Sequence, residues 1–329
     1  MKLVTFEIST LLGPVRRIGA ISGAKIIDLN VGYARYLADT SDSGRCYEMA
    51  GAVVPPDMIA FFRSGQAGRQ AAKQTVDYIL KTSYTGPRGE QIVYEMTEVK
   101  LKAPVPRPNS IRDYLAFEGH ASRSGQRKLD KAWYEIPVCY RGNPDTIIGP
   151  EEIIPWPAYT ELLDYELEYG IYIGEEGKNI PREKANEYIA GYTILNDVSA
   201  RDIQLREMVV GLGPVKGKDF CSVMGPCLVT PDEVDPANMR MMARINGEVW
   251  SDGNSGTSYW TWPQIIEFAS MEETLYPGDF LGSGTVEKGC GGELNRWIQP
   301  GDVIELEIEG IGVLRNRVGD KPPSRTFTR

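Results

Sequence analysis

Residues 161–174 read ELLDYELEYGIYIG. Asp164, Glu166 and Glu168 take alternate positions, and Leu163, Tyr165, Leu167, Tyr169, Ile171 and Ile173 take the others. This alternation predicts a half-buried strand over 163–173. Side chains two apart on a strand share a face, with Cα atoms roughly 7 Å apart. Three carboxylates therefore line one face, with nothing basic among them. Two surroundings fit such a face. One is water, because an antiparallel strand often has a solvated side. The other is a divalent cation, whose oxygen ligands relieve the mutual repulsion of the acids.

The bulk numbers narrow the choice of partners. The chain has 329 residues, enough for one large domain or a large and a small one. A net charge of −9 argues against a nucleic-acid backbone or an anionic membrane surface as partner. A small anionic substrate stays possible, since a basic pocket can sit in an acidic protein. The five cysteines, Cys46, Cys139, Cys221, Cys227 and Cys290, form no CxxC, which suits a reducing compartment and argues against a structural zinc site. Glu7 interrupts the N-terminal apolar stretch and no apolar run reaches the roughly 20 residues of a membrane span, so the expectation is a cytosolic protein. There is one histidine, His120. It excludes sites that need two imidazoles, so a metal would rest on carboxylates, which points to Mg²⁺, Ca²⁺ or Mn²⁺.

Along the chain, residues 1–31 read as short strands in a meander, and 56–81 as helix with a break near Gly65. Pro104, Pro106 and Pro108 alternate in an extended stretch, which places a boundary near residue 103. This predicts a small N-terminal α+β domain over 1–103 and a catalytic domain over 104–329. Further strands are predicted at 136–140, 188–195, 226–230, 240–246, 279–282, 302–309 and 311–318, and helices at 112–124, 182–187, 199–206 and 260–270. Without regular βαβ alternation the fold class is β-rich α+β. GLGPVKGKD (211–219) lacks P-loop spacing, and DGNSGTS (252–258) lacks the EF-hand positions.

Two segments carry candidate chemistry. In IRDYLAFEGHASRSG, Asp113 precedes His120 by seven positions, two turns of the predicted helix and hence the same face. In NDVSARDIQ (196–204), Asp197 or Ser199 is placed to cap a helix, with Arg201 and Gln204 on one helix face.

Taken in order, RDYLAFEGH, DYELEYGIYIG, AGYTILNDVSARDIQ, LGPVKGKDF with MGPCLVT, PGDFLGSGT and PGDVIELEIEGIG resemble the fumarylacetoacetate hydrolase family over roughly residues 104–318. IPVCYRG (136–142) resembles its long-chain, fumarylacetoacetase-like branch. The resemblance implies a mixed β-sandwich roll, a metal held by Asp113, Glu166, Glu168 and Asp197 (Mg²⁺ first, Ca²⁺ or Mn²⁺ as alternatives), and a homodimer. It gives His120 the role of activating water, oriented by Glu293, with Glu118 as the local alternative. Lys218 and Arg201, with Gln204, would stabilise substrate charge, and Tyr140 and Thr285 match substrate-contacting positions. A cationic residue after His120 would be Arg123, Arg127 or Lys128. The implied activity is metal-dependent hydrolysis of a C–C bond in a β-diketo acid, an acylpyruvate or fumarylacetoacetate-like compound. Two alternatives stand beside it: an oxaloacetate-type decarboxylase or oxo-diacid isomerase, and a metal-stabilised binding protein without turnover. Hydrolysis requires His120, whereas decarboxylation or isomerisation could survive its loss.

Overall fold

The strand Leu167–Ile173 lies in the interior of the molecule, paired antiparallel with Ile189–Asn196 on one side and with Phe280–Gly282 on the other. The computed structural model describes residues 1–41, 44–82 and 85–327. Among these, the largest sheet has twelve strands. From Leu167–Ile173 it runs one way through Ile189–Asn196, Ser222–Val229, Lys2–Thr10, Gly13–Ser22 and Lys25–Asp28 to Val93–Glu95. The other way it passes through Phe280–Gly282 and Ile111–Tyr114 to Cys139–Gly142. A five-stranded sheet holds Glu248–Asn254, Arg240–Ile245, Val303–Ile308, Gly312–Val318 and Ile153–Ile154. The fold is β-rich α+β.

Both faces of the central strand are covered, which explains why all seven of its residues are buried. Leu167, Tyr169 and Ile171 pack with Met241, Ile304 and Leu306 of the five-stranded sheet. Tyr172, on the opposite face, packs with Phe61, Phe62 and Ala72 of the helices Met58–Arg63 and Gly65–Ile79. Gly170 lets the neighbouring strand approach, since a Cβ there would lie 2.2 Å from Phe280 Cζ. Residues on either side of residue 103 share the large sheet, because Lys2–Thr10 pairs with Ser222–Val229. Ala103 and Val105 are buried in the core beside Leu3.

Several local expectations need correction. The strand predicted over 163–173 is interrupted: Leu163–Asp164 pairs with Ser199–Ala200, and Leu167–Ile173 joins the large sheet. Its acidic face meets protein rather than water, as Asp164 and Glu168 are fully buried. Residues 112–124 are not one helix. Ile111–Tyr114 is a strand and only Glu118–Ala121 is helical, because pairing with Phe280–Gly282 and Cys139–Gly142 outweighs local propensity. Asp113 and His120 are thus brought together by a strand, a loop and a helical turn rather than by one helix face. Neither Asp197 nor Ser199 caps the next helix, which begins after Ala200 with no side-chain cap. The strand expected at 136–140 is Cys139–Gly142. Helix Leu29–Thr40 takes the end of the predicted 1–31 meander and continues past it, and helix Cys46–Val53 lies where no element was predicted. The break near Gly65 is present: Ser64 separates two helices, and Gly65, at a φ of 57°, opens the second.

Candidate active site

Asp113, Glu168 and Asp197 come from three different strands or strand ends. Asp113 sits on Ile111–Tyr114, in register with Gly282 of the parallel neighbour. Glu168 lies on the central strand, and Asp197 follows directly after Ile189–Asn196. One carboxylate oxygen from each lies within 4.8 Å of the others, and all three residues are buried. Burial, then the charge on Asp197, pushes the Asp113 carboxyl well above the usual range; burial and the charge on Asp113 do the same to Glu168.

Partners account for most of the surrounding oxygens. Thr285 Oγ1 donates to Glu168 at 2.9 Å, Tyr140 Oη donates to Asp197 at 2.7 Å, and Gly284 N–H donates to Asp113 at 3.2 Å. Glu168 Oε2 and Asp197 Oδ1 are buried with no hydrogen-bond partner. Buried carboxylate oxygens without donors are costly unless a cation takes them up. Hard oxygen donors converging from separate segments fit a divalent ion such as Mg²⁺, Mn²⁺ or Ca²⁺.

Glu166, expected among these ligands, has both oxygens engaged by cations, and Lys218 links it to Asp197. Arg201 donates to one at 2.8 Å and Lys218 to the other. Burial opposes its charge, but Arg201, then Lys218 and His120, outweigh it and hold its pKa below the ordinary range. Lys218 also donates to Asp197 at 2.5 Å. Burial works against the lysine charge, yet Asp197 and Glu166 more than compensate, and its pKa lies above the usual value.

His120 reaches the same space from the short helix Glu118–Ala121. Its Nδ1 lies 2.6 Å from Glu293 Oε2, so the ring N–H donates to that carboxylate. Its Nε2 is left toward Glu166 Oε1, 3.9 Å away. Glu118 accepts from Tyr134 instead, so Glu293 is the histidine's partner. Asp113, His120, Glu166, Arg201, Lys218 and Glu293 all line one cavity of about 560 Å³, with Arg123 and Arg127 also on its wall.

Residues 109–319 match the family described as fumarylacetoacetate (FAA) hydrolase C-terminal. The chain belongs to the fumarylacetoacetate hydrolase family. This member is 32% identical to the oxaloacetate tautomerase YisK of Bacillus subtilis, over 81% of its own length and 87% of the relative's. It is 30% identical to the mitochondrial oxaloacetate tautomerase FAHD2A of Bos taurus, over 97% and 91% of the two chains. Its fold is similar to that of a fumarylacetoacetate hydrolase from Exiguobacterium antarcticum, with a TM-score of 0.70, 26% identity, and coverage of 97% of this chain and 100% of that one. No helix among the described residues of this family member is long and apolar enough to cross a membrane.

Other predicted residues occupy supporting positions. Gln204 accepts from Arg201 at 3.0 Å, while the Tyr140 and Thr285 hydroxyls are directed at acids of the cluster. Asp164 carries more than its alternation suggested. It accepts from Arg201 at 2.8 Å and from the Gly291 and Gly292 N–H groups at 2.8 and 3.0 Å, which ties the guanidinium to the loop that presents Glu293. Cys290, whose Sγ lies 3.5 Å from Glu293 Oε2, carried no recognisable motif in the sequence.

Gly282 sets the approach of Asp113. A Cβ at this position would fall 2.2 Å from Asp113 Oδ1. Gly282→Ala is therefore expected to displace that carboxylate and weaken divalent-cation binding at the cluster by about tenfold or more, at least the loss seen when a metal ligand's supporting partner is removed. Isothermal titration with Mg²⁺ measures this, and unchanged affinity would show that Asp113 is not held as described.

Proposed function

We propose that this family member is a divalent-cation-dependent isomerase of small oxo-diacids, interconverting the keto and enol forms of an oxaloacetate-type substrate. The observation that carries the reading is the His120–Glu293 pair, which leaves the imidazole Nε2 beside the converging acids in one cavity. Two relatives named oxaloacetate tautomerase support this reaction over C–C hydrolysis.

Charge explains why a cation is needed. Asp113, Asp164, Glu166, Glu168 and Asp197 are buried here against Arg201 and Lys218, and burial with mutual repulsion opposes the ionisation of Asp113 and Glu168, so the fully charged cluster requires a cation. Asp113, Glu168 and Asp197 would hold the ion, with Mg²⁺ proposed first. When bound, it would act as a Lewis acid toward the substrate carbonyl, an effect of several kcal/mol.

The chain's own residues move the proton. His120 Nε2 takes it from the carbon between the ketone and the distal carboxylate. The C–H electron pair becomes the C=C bond, and the carbonyl oxygen gains the negative charge. Glu293 stabilises the imidazolium and keeps the ring oriented. Lys218, held charged by Glu166 and Asp197, offers a cation to the developing oxyanion. Return of the proton to oxygen completes the enol, with no other bond broken. Arg123 and Arg127, exposed on the cavity wall, are the candidates to receive the distal carboxylate.

The test compares products. Oxaloacetate enol absorbance should decay faster with enzyme and Mg²⁺, without pyruvate formation. Cleavage of acylpyruvates into two acids, with no effect on enol decay, would instead favour the hydrolase, a second reading supported by the same His–Glu pair and by the similarity to the Exiguobacterium antarcticum protein.

Cation binding has its own readout. Mg²⁺ at 100 times its Kd should add about 2.7 kcal/mol of stability through mass action, reversed by EDTA. A thermal midpoint that ignores Mg²⁺, Mn²⁺ and Ca²⁺ alike would remove the cation from the proposal. We also propose a homodimer. It is supported by the exposed apolar residues Val209, Val210 and Leu212, which are 88%, 77% and 78% exposed. Light scattering would test it.

A further inference from the structure

We propose that His120, Cys290 and Glu293 form a second cation site, suited to a soft divalent ion such as Zn²⁺, beside the acid cluster and separate from it. One ligand atom of each residue lies within 4.8 Å of the other two. Cys290 Sγ and His120 Nδ1 both approach Glu293 Oε2, at 3.5 and 2.6 Å. Around a tetrahedral zinc, neighbouring ligand atoms are separated by about 3.3–3.6 Å, given metal–ligand distances near 2.0–2.3 Å. Small side-chain movements therefore convert the existing cluster into a coordination shell.

A second observation points the same way. The Glu293 side chain is 7% exposed, and its Oε1 is buried without a hydrogen-bond partner. One Glu293 oxygen is thus already engaged while the other has no donor. The three residues also line the cavity, which provides an entry path and an open fourth position for water.

The donor set selects the ion. Thiolate, imidazole and carboxylate together suit zinc, whereas Mg²⁺ prefers an all-oxygen shell such as that of Asp113, Glu168 and Asp197. Burial and the Asp164 charge keep the Cys290 thiol protonated without an ion, so its proton leaves to solvent only as the ion binds; Glu293 is a carboxylate and His120 stays neutral, and two negative ligands then meet a doubly charged ion. The ion replaces the proton between Nδ1 and Glu293, and that proton shifts to Nε2. Glu166 Oε1, 3.9 Å from Nε2, is the acceptor that supports this tautomer after a shift of about 1 Å, the usual arrangement for a metal-bound histidine. Arg201 is the nearby opposing charge, and it is already paired with Asp164 and Glu166.

One consequence rests on the isomerase reading: with Nε2 protonated, His120 can no longer accept a proton from substrate. Zn²⁺ would then inhibit turnover in the presence of saturating Mg²⁺.

The decisive experiment uses Co²⁺ as a spectroscopic probe. Full-length protein saturated with Mg²⁺ is titrated with Co²⁺ while the near-ultraviolet thiolate-to-cobalt charge-transfer band is followed. The expected result is a band that saturates at one equivalent, is displaced by Zn²⁺ and is lost in Cys290→Ser. Absence of the band in the unmodified protein overturns the site, as does an equal band in Cys290→Ser. This arm does not depend on any activity. In the kinetic arm, Cys290→Ser should raise the half-inhibitory Zn²⁺ concentration by about 10–100-fold, no less than loss of an outer-shell partner costs. Equal sensitivity of the two proteins would overturn the inhibitory role, whatever reaction is being followed.

Discussion

His120→Ala will slow keto–enol interconversion of oxaloacetate by about 10²–10⁴-fold, the range contributed by a positioned general acid–base group. Nothing else in the described cavity offers a neutral base of comparable placement. Lys218 is held charged between two carboxylates, and Glu166 is engaged by Arg201 and Lys218. Glu293→Gln should show a smaller loss than His120→Ala. The amide can still accept the Nδ1–H bond but no longer stabilises the imidazolium. Stopped-flow decay of enol absorbance at saturating Mg²⁺ measures both variants. A His120→Ala rate within a factor of about three of the parent, well short of that range, would assign the proton transfer elsewhere. The sequence alone left open that an isomerase could survive this change. The geometry argues otherwise, because the imidazole stands at the cavity with one nitrogen anchored and one free.

Lys218→Met will destabilise the cation-free protein by about 3–5 kcal/mol, the cost of leaving a buried charge without its partner. The ammonium is 3% exposed and donates to both Glu166 and Asp197. Its removal leaves Asp197 with only the Tyr140 hydroxyl among side-chain donors, while Glu166 retains Arg201. Asp113 and Glu168 stand in the same space and supply no positive charge to replace the ammonium. Methionine fills a similar volume, so the loss is electrostatic rather than a packing defect. Added Mg²⁺ should recover part of it by supplying positive charge beside Asp197. Urea denaturation in EDTA and in excess Mg²⁺ separates the two effects, and midpoints equal to the parent in EDTA would refute the electrostatic account.

Alternation marked Asp164, Glu166 and Glu168 in the sequence, whereas Asp113 and Asp197 were set beside them only through resemblance. The pairing of His120 with Glu293, 173 residues apart, was accessible only through resemblance. Periodicity misread the segment before His120. The apolar spacing of 112–124 suits a helix, but Ile111–Tyr114 is drawn into the sheet by two neighbouring strands that a local window does not contain. The orientation of Glu166 was similarly hidden. Spacing puts it on the same side as Glu168, yet the chain leaves the strand between Asp164 and Leu167, and Arg201 and Lys218 take its oxygens.

By itself, the sequence determined the β-rich class, the order of the principal strands, the acid supply for a hard cation and the presence of only one imidazole, because these follow from side-chain period and residue identity. Tertiary structure alone decided which acids converge, which cations neutralise Glu166 and Asp164, and that Cys290 stands beside His120 and Glu293. Those outcomes depend on strand register and on distances between segments far apart in the chain, and no local pattern encodes either.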